Sequence, residues 1–375
     1  MDQSVVFFFL HNGLVVTLIV TGIVLSRKNR LDQFKYNYWL NAVYCILIYS
    51  IVEGLRYDRG IDYMHHKNLI EYANNLEAYW VNSDKIEPLF QIINKTTKLL
   101  GLPYYLVFFL YSLILIIAIF SFLRSHRNVI LYALPLAFFA TIVQSENLIR
   151  QFLAFAFILF SIKPFLKNSW TSFGILFFMA ISIHTSSLFY LPLFFICKYR
   201  ERPFINLYVI LILYGISWLW KAEYTLRYLD LITMIAPTKY TDYIAIEDIW
   251  TRMKFDGTVF YLVRVFCFNL GILILGYRLL EKYKDKKFPF FYNLFVFGSI
   301  TQHLGLQSEL IYRVSLLFYM FWFMVLSYIA YDSLTQKNKN IWIKVVSVFL
   351  LINSLYDCIS KTFRFEDINL FVWNT

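Results

Sequence analysis

GLPYYLVFFLYSLILIIAIFSFL (101–123) decides the fold class, because it runs from end to end without a charged residue. A helix of about twenty such residues crosses roughly 30 Å of hydrocarbon. The blocks 5–25 and 259–279 read the same way. Around them, 59% of the 375 residues are hydrophobic, with 39 Phe, 29 Tyr and 9 Trp, and only 16% are charged. A soluble domain carries about 25% charge, so soluble globular folds, disordered chains and small disulfide scaffolds are excluded. Solid apolar blocks also speak against a β-barrel, whose strands alternate. The expected fold class is all-α, a polytopic membrane bundle forming a single domain over 1–375.

Candidate spans are 5–25, 37–55, 101–123, 128–143, 148–163, 169–183, 186–197, 204–220, 259–279, 288–305, 311–331 and 341–358. Cations gather in alternate short connections: Arg27, Lys28, Arg30 and Lys35; Arg124 and Arg127; Lys163 and Lys167; Lys198, Arg200 and Arg202; Lys282, Lys284, Lys286 and Lys287; Lys337 and Lys339. The positive-inside rule puts these in the cytoplasm. About twelve passes follow, with both termini outside and two long outer connections, 56–100 and 221–258. The net charge of +11 is then a topology signal and not a nucleic-acid footprint. The first block lacks a basic leader and reads as a retained span, not a cleaved signal. Four Cys in apolar surroundings form neither a disulfide framework nor a zinc site.

The pairs 128–143/148–163 and 169–183/186–197 are short for perpendicular spans. Their turns, Gln144-Ser145-Glu146-Asn147 and His184-Thr185-Ser186-Ser187, are therefore expected below the outer surface. Polar groups at that depth must face protein or a water-filled cavity; local thinning of the bilayer is the plainer alternative. In the 56–100 connection, Leu69, Ile70, Ala73 and Leu76 repeat at helical spacing. A second helix is expected after Ser83-Asp84, an N-cap pair with Pro88 in the first turns. Such helices suit the outer interface.

Ionisable residues at membrane depth mark function by default. Four groups stand out on the expected outer side. GLRYDRGIDY (54–63) offers Arg56, Asp58, Arg59 and Asp62, with Arg59 and Asp62 three apart, as on one helix face. Glu87 precedes Pro88. SENLIRQ (145–151) offers Arg150 and Gln151, and His184-Thr185-Ser186 follows. Glu309, Tyr312 and Arg313 open a later span. Each has a plain reading too: an interfacial anchor, a first-turn acid, a snorkelling Arg and a packed His. Arg groups beside carboxylates and a His suit an anionic lipid-linked substrate, the Arg neutralising diphosphate and the His or carboxylate taking a hydroxyl proton. No Gly-rich phosphate loop is present, which speaks against a nucleotide-sugar donor. Tyr63, Tyr72, Tyr79 and Trp80 read either as interfacial belt residues or as sugar-stacking rings.

Arg56-x-x-x-Gly60-x-Asp62-Tyr63, Glu87-Pro88-Leu89-Phe90, Ile149-Arg150-Gln151, His184-x-Ser186 and Tyr312-Arg313 together resemble the EpsG family of exopolysaccharide polymerases. That family is related to Wzy-type O-antigen and capsule polymerases. The resemblance covers about residues 50–320 and implies a bacterial inner-membrane enzyme whose active site faces outward. It would transfer a growing glycan from undecaprenyl diphosphate to a hydroxyl of the next lipid-linked repeat unit. Such enzymes resemble membrane-embedded C-type glycosyltransferases and need neither metal nor cofactor. Implied partners are the lipid-linked oligosaccharide, membrane lipid, and chain-length-regulator and flippase proteins. On this reading His184, Asp62 or Glu87 is the base, His184 favoured for its near-neutral pKa. Arg56, Arg59, Arg150, Gln151, Ser186, Tyr312 and Arg313 bind substrate. A ligase-like transferase making single additions, or a flippase of about twelve spans, are the rival readings.

Overall fold

Helices run through every stretch read above as a span, and no strand occurs among the described residues. The structure, a computed structural model, describes residues 3–27, 34–57, 59–60, 62–74, 86–198, 205–219, 259–305, 309–335 and 340–363. Asp58, Leu76, Tyr79, Trp80, Ser83, Asp84 and the 221–258 connection lie outside them. Among the described residues, six helical stretches are long and apolar enough to cross a membrane: Phe9–Ser26, Tyr104–Leu123, Ile149–Leu166, Phe260–Leu279, Tyr312–Thr335 and Ile341–Ile359. Shorter apolar helices accompany them at Tyr38–Gly54, Arg127–Ile142, Trp170–Ile183, Thr185–Lys198 and Leu207–Trp218.

The chain divides into two compact units, Met1–Leu188 with Leu351–Thr375, and Phe189–Leu350. The first holds α1 (Gln3–Ser26), α2 (Phe34–Gly54), α3 (Tyr63–Glu71), α4 (Pro88–Leu99), α5 (Tyr104–Leu123), α6 (Ile130–Asn147), α7 (Ile149–Leu166) and α8 (Trp170–Ile183). Here α1 packs on α2 and α6, α5 on α2 and α7, and α7 on α8. The small helices α3 and α4 rest on each other and on α5. On α1, Leu14, Leu18 and Leu25 are buried while Val16, Ile19, Val20, Ile23 and Val24 are exposed. An apolar stripe turned outward on a helix already buried along its other side is what hydrocarbon solvates and water does not.

The second unit holds α9 (Tyr190–Lys198), α10 (Leu207–Trp218), α11 (Val259–Leu279), α12 (Phe288–Gly305), α13 (Glu309–Tyr319) and α14 (Trp322–Ala330); α15 (Ile341–Phe363) carries the chain across the division. The pairing of α12 with α13 is the closest in this unit, because Gly298 lets the Tyr319 backbone nitrogen come within 2.2 Å of where a Cβ would stand. Small residues at such contacts let helices approach where no hydrophobic drive separates lipid from protein. α10 and α14 pack on α12, and α14 also meets α11.

Three local expectations are corrected. Gln144-Ser145-Glu146-Asn147 is no loop but the last turn of α6, and the chain reverses at Leu148 (φ −98, ψ 53). Both helices of that hairpin are consequently 18 residues long. Arg59 and Asp62 do not share a helix face: Arg59 is itself non-helical, and Asp62 is the N-cap of α3. α4 begins at Pro88 with Glu87 in the N-cap position, later than Ser83-Asp84. The periodic reading of α3 holds, since Leu69, Ile70 and Ala73 are all at most 2% exposed.

Candidate active site

Gly60 sets the geometry of the first unit's polar centre. Its φ is +100, and a Cβ there would stand 2.4 Å from the Glu146 carbonyl oxygen. Only glycine adopts this conformation freely, so the Gly60 backbone lies against the end of α6. Gly60→Ala is expected to lower the thermal midpoint by several degrees, because both the strain and the overlap must be relieved by backbone movement. An unchanged midpoint would contradict this docking.

Around that contact lies a buried ion network. Arg59 Nη2 sits 2.7 Å from Glu146 Oε1, and Arg59 Nη1 sits 3.1 Å from His11 Nε2. His11 Nε2 also lies 3.3 Å from Glu53 Oε1. Arg56 donates to the Glu53 carbonyl and stands over the Tyr63 and Phe108 rings at 6.0 and 5.7 Å. Tyr63 closes the turn by donating to the Arg56 carbonyl at 2.9 Å. His11, Glu53 and Glu146 bring one ligand atom each within 4.8 Å of one another. A metal would find this spacing suitable, but the Arg59 guanidinium already supplies positive charge there. Two Arg balance two Glu, the condition for burying such groups.

A second cluster centres on Glu87, whose side chain is 4% exposed. Arg150 Nη1 donates to Glu87 Oε2 at 3.1 Å. The Thr185 backbone N–H and hydroxyl both donate to Oε1 at 3.3 Å, and His184 Nδ1 lies 3.4 Å from the same oxygen. Arg150 also stands over the Phe90 ring at 5.7 Å. Glu87-Pro88-Leu89-Phe90 thus presents a carboxylate and a ring, one helical turn apart, to a single guanidinium. The contact at Nδ1 directs the His184 proton to that nitrogen and its lone pair to Nε2. His184 and Arg150 are the accessible members, 17% and 25% exposed.

His66 is close enough to both clusters to feel the charges of Arg150, Arg56 and His184. It is 3% exposed, packs edge-on to Phe90 at 5.9 Å, and its Nδ1 makes no hydrogen bond. Burial, with Arg150 second, drives its pKa well below the ordinary value; His65 is lowered for the same two reasons. A folded-state pKa below the unfolded one means the unfolded chain holds the proton more tightly. Stability is then full above about pH 6.5 and declines as acid is added, by up to about 1.4 kcal/mol per pH unit for each such proton. The thermal midpoint should fall between pH 7 and 5, and His66→Phe should flatten that fall.

Among the predicted site residues, the structure brings Glu87, Arg150 and His184 into one cluster. Ser186 follows two residues on, its hydroxyl buried and without a hydrogen bond. Gln151 is buried at 3% on α7. Arg56 and Arg59 are 5% and 2% exposed and face the ion network, while Asp62 is half-buried at the start of α3. Tyr312 and Arg313, both half-buried, belong to α13 of the second unit. His11, Glu53 and His66 escaped the sequence reading. Signals for them existed: Glu53 is an acid inside an expected span, and His66 shares the stripe of Leu69, Ile70 and Ala73.

No curated protein and no solved structure matches the chain. The sequence does match the EpsG family over residues 37–370, nearly its whole length and every residue of the two clusters except His11 on α1, and the protein belongs to that family.

Proposed function

We propose that this protein is a membrane polysaccharide polymerase that lengthens a glycan held on undecaprenyl diphosphate, on the outer face of a bacterial inner membrane, through about twelve passes. Membership in the EpsG family supports an exopolysaccharide polymerase and hence glycosyl transfer. The observation that carries the chemistry is the Glu87 cluster, in which one buried carboxylate holds both the most accessible Arg of the site and its His. In the reaction, the His184 Nε2 lone pair takes the proton from an acceptor hydroxyl. The hydroxyl oxygen bonds to the anomeric carbon as that carbon's bond to the diphosphate oxygen breaks. The diphosphate leaves with the electron pair, and Arg150, with Arg56, stabilises its charge. Glu87 acts as a positioning residue, with its oxygens already engaged, and Asp62 is the second choice for base. A small cavity of about 20 Å³, room for one water, is lined by Arg56, Phe108, Leu115, Ile149 and Phe152.

Purified protein in liposomes, incubated with undecaprenyl-diphosphate-linked repeat units, tests the reading by product size. A ladder of lengths is expected. One discrete addition would assign a ligase-like transferase instead, and substrate that crosses the bilayer with its covalent size unchanged would assign a flippase.

A further inference from the structure

The second unit buries a polar and aromatic cluster to which no role has been given. Tyr214 and Trp218 come from α10, Phe266 and Asn269 from α11, and Gln302 and His303 from α12. The Trp218 and His303 rings lie 3.8 Å apart at 37°, Phe266 stands 5.2 Å from Trp218, and Tyr214 stacks on Phe266 at 5.3 Å. Trp218 Nε1, Asn269 Nδ2, Gln302 Oε1 and His303 Nδ1 are each shut off from solvent and make no hydrogen bond among the described residues. Asn269 is 0% and His303 4% exposed. The Asn269 oxygen is taken by the Tyr319 hydroxyl at 2.9 Å, which turns its amide NH2 away from that partner. Tyr214 donates to the Phe266 carbonyl at 3.3 Å and sits 3.5 Å from His303 Nε2.

Four silent polar atoms on neighbouring helices are costly in a membrane bundle, where no bulk water compensates their burial. Natural interiors rarely leave even one such group orphaned. The four atoms are also mixed in kind: an indole N–H and an amide N–H2 donate, an amide oxygen accepts, and an imidazole nitrogen can do either. All are neutral, and the cluster itself contains no carboxylate for a cation and no guanidinium for a phosphate. Neutral donors and acceptors set among ring faces complement a molecule with hydroxyls around its rim and C–H groups on its face. Access is from the side of Trp218 and Phe266, which are half-buried.

We infer that this cluster is a glycan-binding subsite, in which a pyranose ring of the oligosaccharide packs on Trp218 and Phe266 while its hydroxyls pair with Asn269, Gln302 and His303. The inference rests on the polymerase reading for its ligand, and its test does not depend on polymerisation.

The probe is the oligosaccharide released by mild acid from the undecaprenyl diphosphate pool of the expressing cell. Its dissociation constant is measured by saturation-transfer NMR on the full chain in lipid nanodiscs. Three variants keep shape while deleting the silent atoms: Trp218→Phe, Asn269→Leu and His303→Phe. Each should weaken binding at least tenfold while leaving the thermal midpoint equal to or above that of the natural chain, because an orphaned buried polar group is removed. Tyr208→Ala, on the exposed side of α10, should bind the probe as the natural chain does. No binding by the natural chain would mean resident water only and overturn the inference. So would affinity within twofold in all three variants, equal loss in Tyr208→Ala, or binding lost only together with a lowered midpoint. If binding behaves as expected but no lengthening occurs in the product-sizing assay, the subsite stands and the polymerase reading falls.

Discussion

Arg150→Ala should abolish long-chain polymer and leave single lipid-linked repeat units to accumulate, at normal protein level. The guanidinium is the most accessible cation of the Glu87 cluster, 25% exposed against 4% for the carboxylate that holds it. Its Nη1 is spent on Glu87 Oε2 at 3.1 Å, and guanidinium carries four further N–H donors in a planar fork. Losing one charge-stabilising group at a departing oxyanion typically costs about 10²- to 10³-fold in kcat. The same deletion also releases Glu87, so His184 loses some of the constraint on its tautomer. Arg150→Lys separates the two effects. It keeps the charge near Glu87 but loses the fork, and should give shorter chains at reduced rate instead of none.

His184→Ala removes the proposed base and should cost about 10²- to 10⁴-fold. Glu87→Gln should lose less, since an amide oxygen still accepts from Thr185 and from His184 Nδ1 while the ion pair with Arg150 goes. If Arg150→Ala and His184→Ala both accumulate normally and still give polymer of natural length, the cluster is not the active site.

How much of this was legible in the sequence varies with how local the physics is. Periodicity located the helices, because an uncharged run such as 101–123 can satisfy its backbone in hydrocarbon only as a helix. It also placed Leu69, Ile70 and Ala73 on one buried face. Glu87, Arg150 and His184 were each marked as polar groups at apolar depth, yet 63 and 98 residues separate Glu87 from Arg150 and from Thr185. Their convergence on one carboxylate is tertiary information that no spacing encodes. The stretch 144–147 reads as a turn because four polar residues between two apolar blocks look like a break in the helix. Here Glu146 is 0% exposed and helical, its polarity being consumed by Arg59. Arg59 was marked as a substrate ligand for the complementary reason: its charge is visible in the sequence and its partner is not. Gly60 was noticed as a motif residue, but its requirement for positive φ follows from α6 passing beneath it.

Arg59 also carries the largest stability effect expected. Arg56, Arg59, Glu53 and Glu146 are all at most 5% exposed, and their charges cancel. Arg59→Leu would strand Glu146 and leave an unbalanced carboxylate inside the bundle, a loss of about 3–5 kcal/mol. That is a large share of the roughly 5–15 kcal/mol that holds a domain folded, so little protein should accumulate in the membrane. Arg59→Leu combined with Glu146→Leu restores charge balance and fills the space with apolar atoms. This pair should recover most of the accumulation and of the thermal midpoint. Arg59→Leu protein that accumulates and melts like the natural chain would rule out the ion pair as a stabilising contact. The double variant decides the role of Arg59 as well. If the guanidinium serves only to fasten Arg59 and Gly60 onto α6, the rescued protein should polymerise within about threefold of the natural rate. If Arg59 leaves Glu146 to bind diphosphate during turnover, the double variant will be stable and inactive. At 2% exposure and 2.7 Å from its partner, leaving would mean desolvated separation of a buried ion pair in every cycle, so activity in the stable double variant is the expected result.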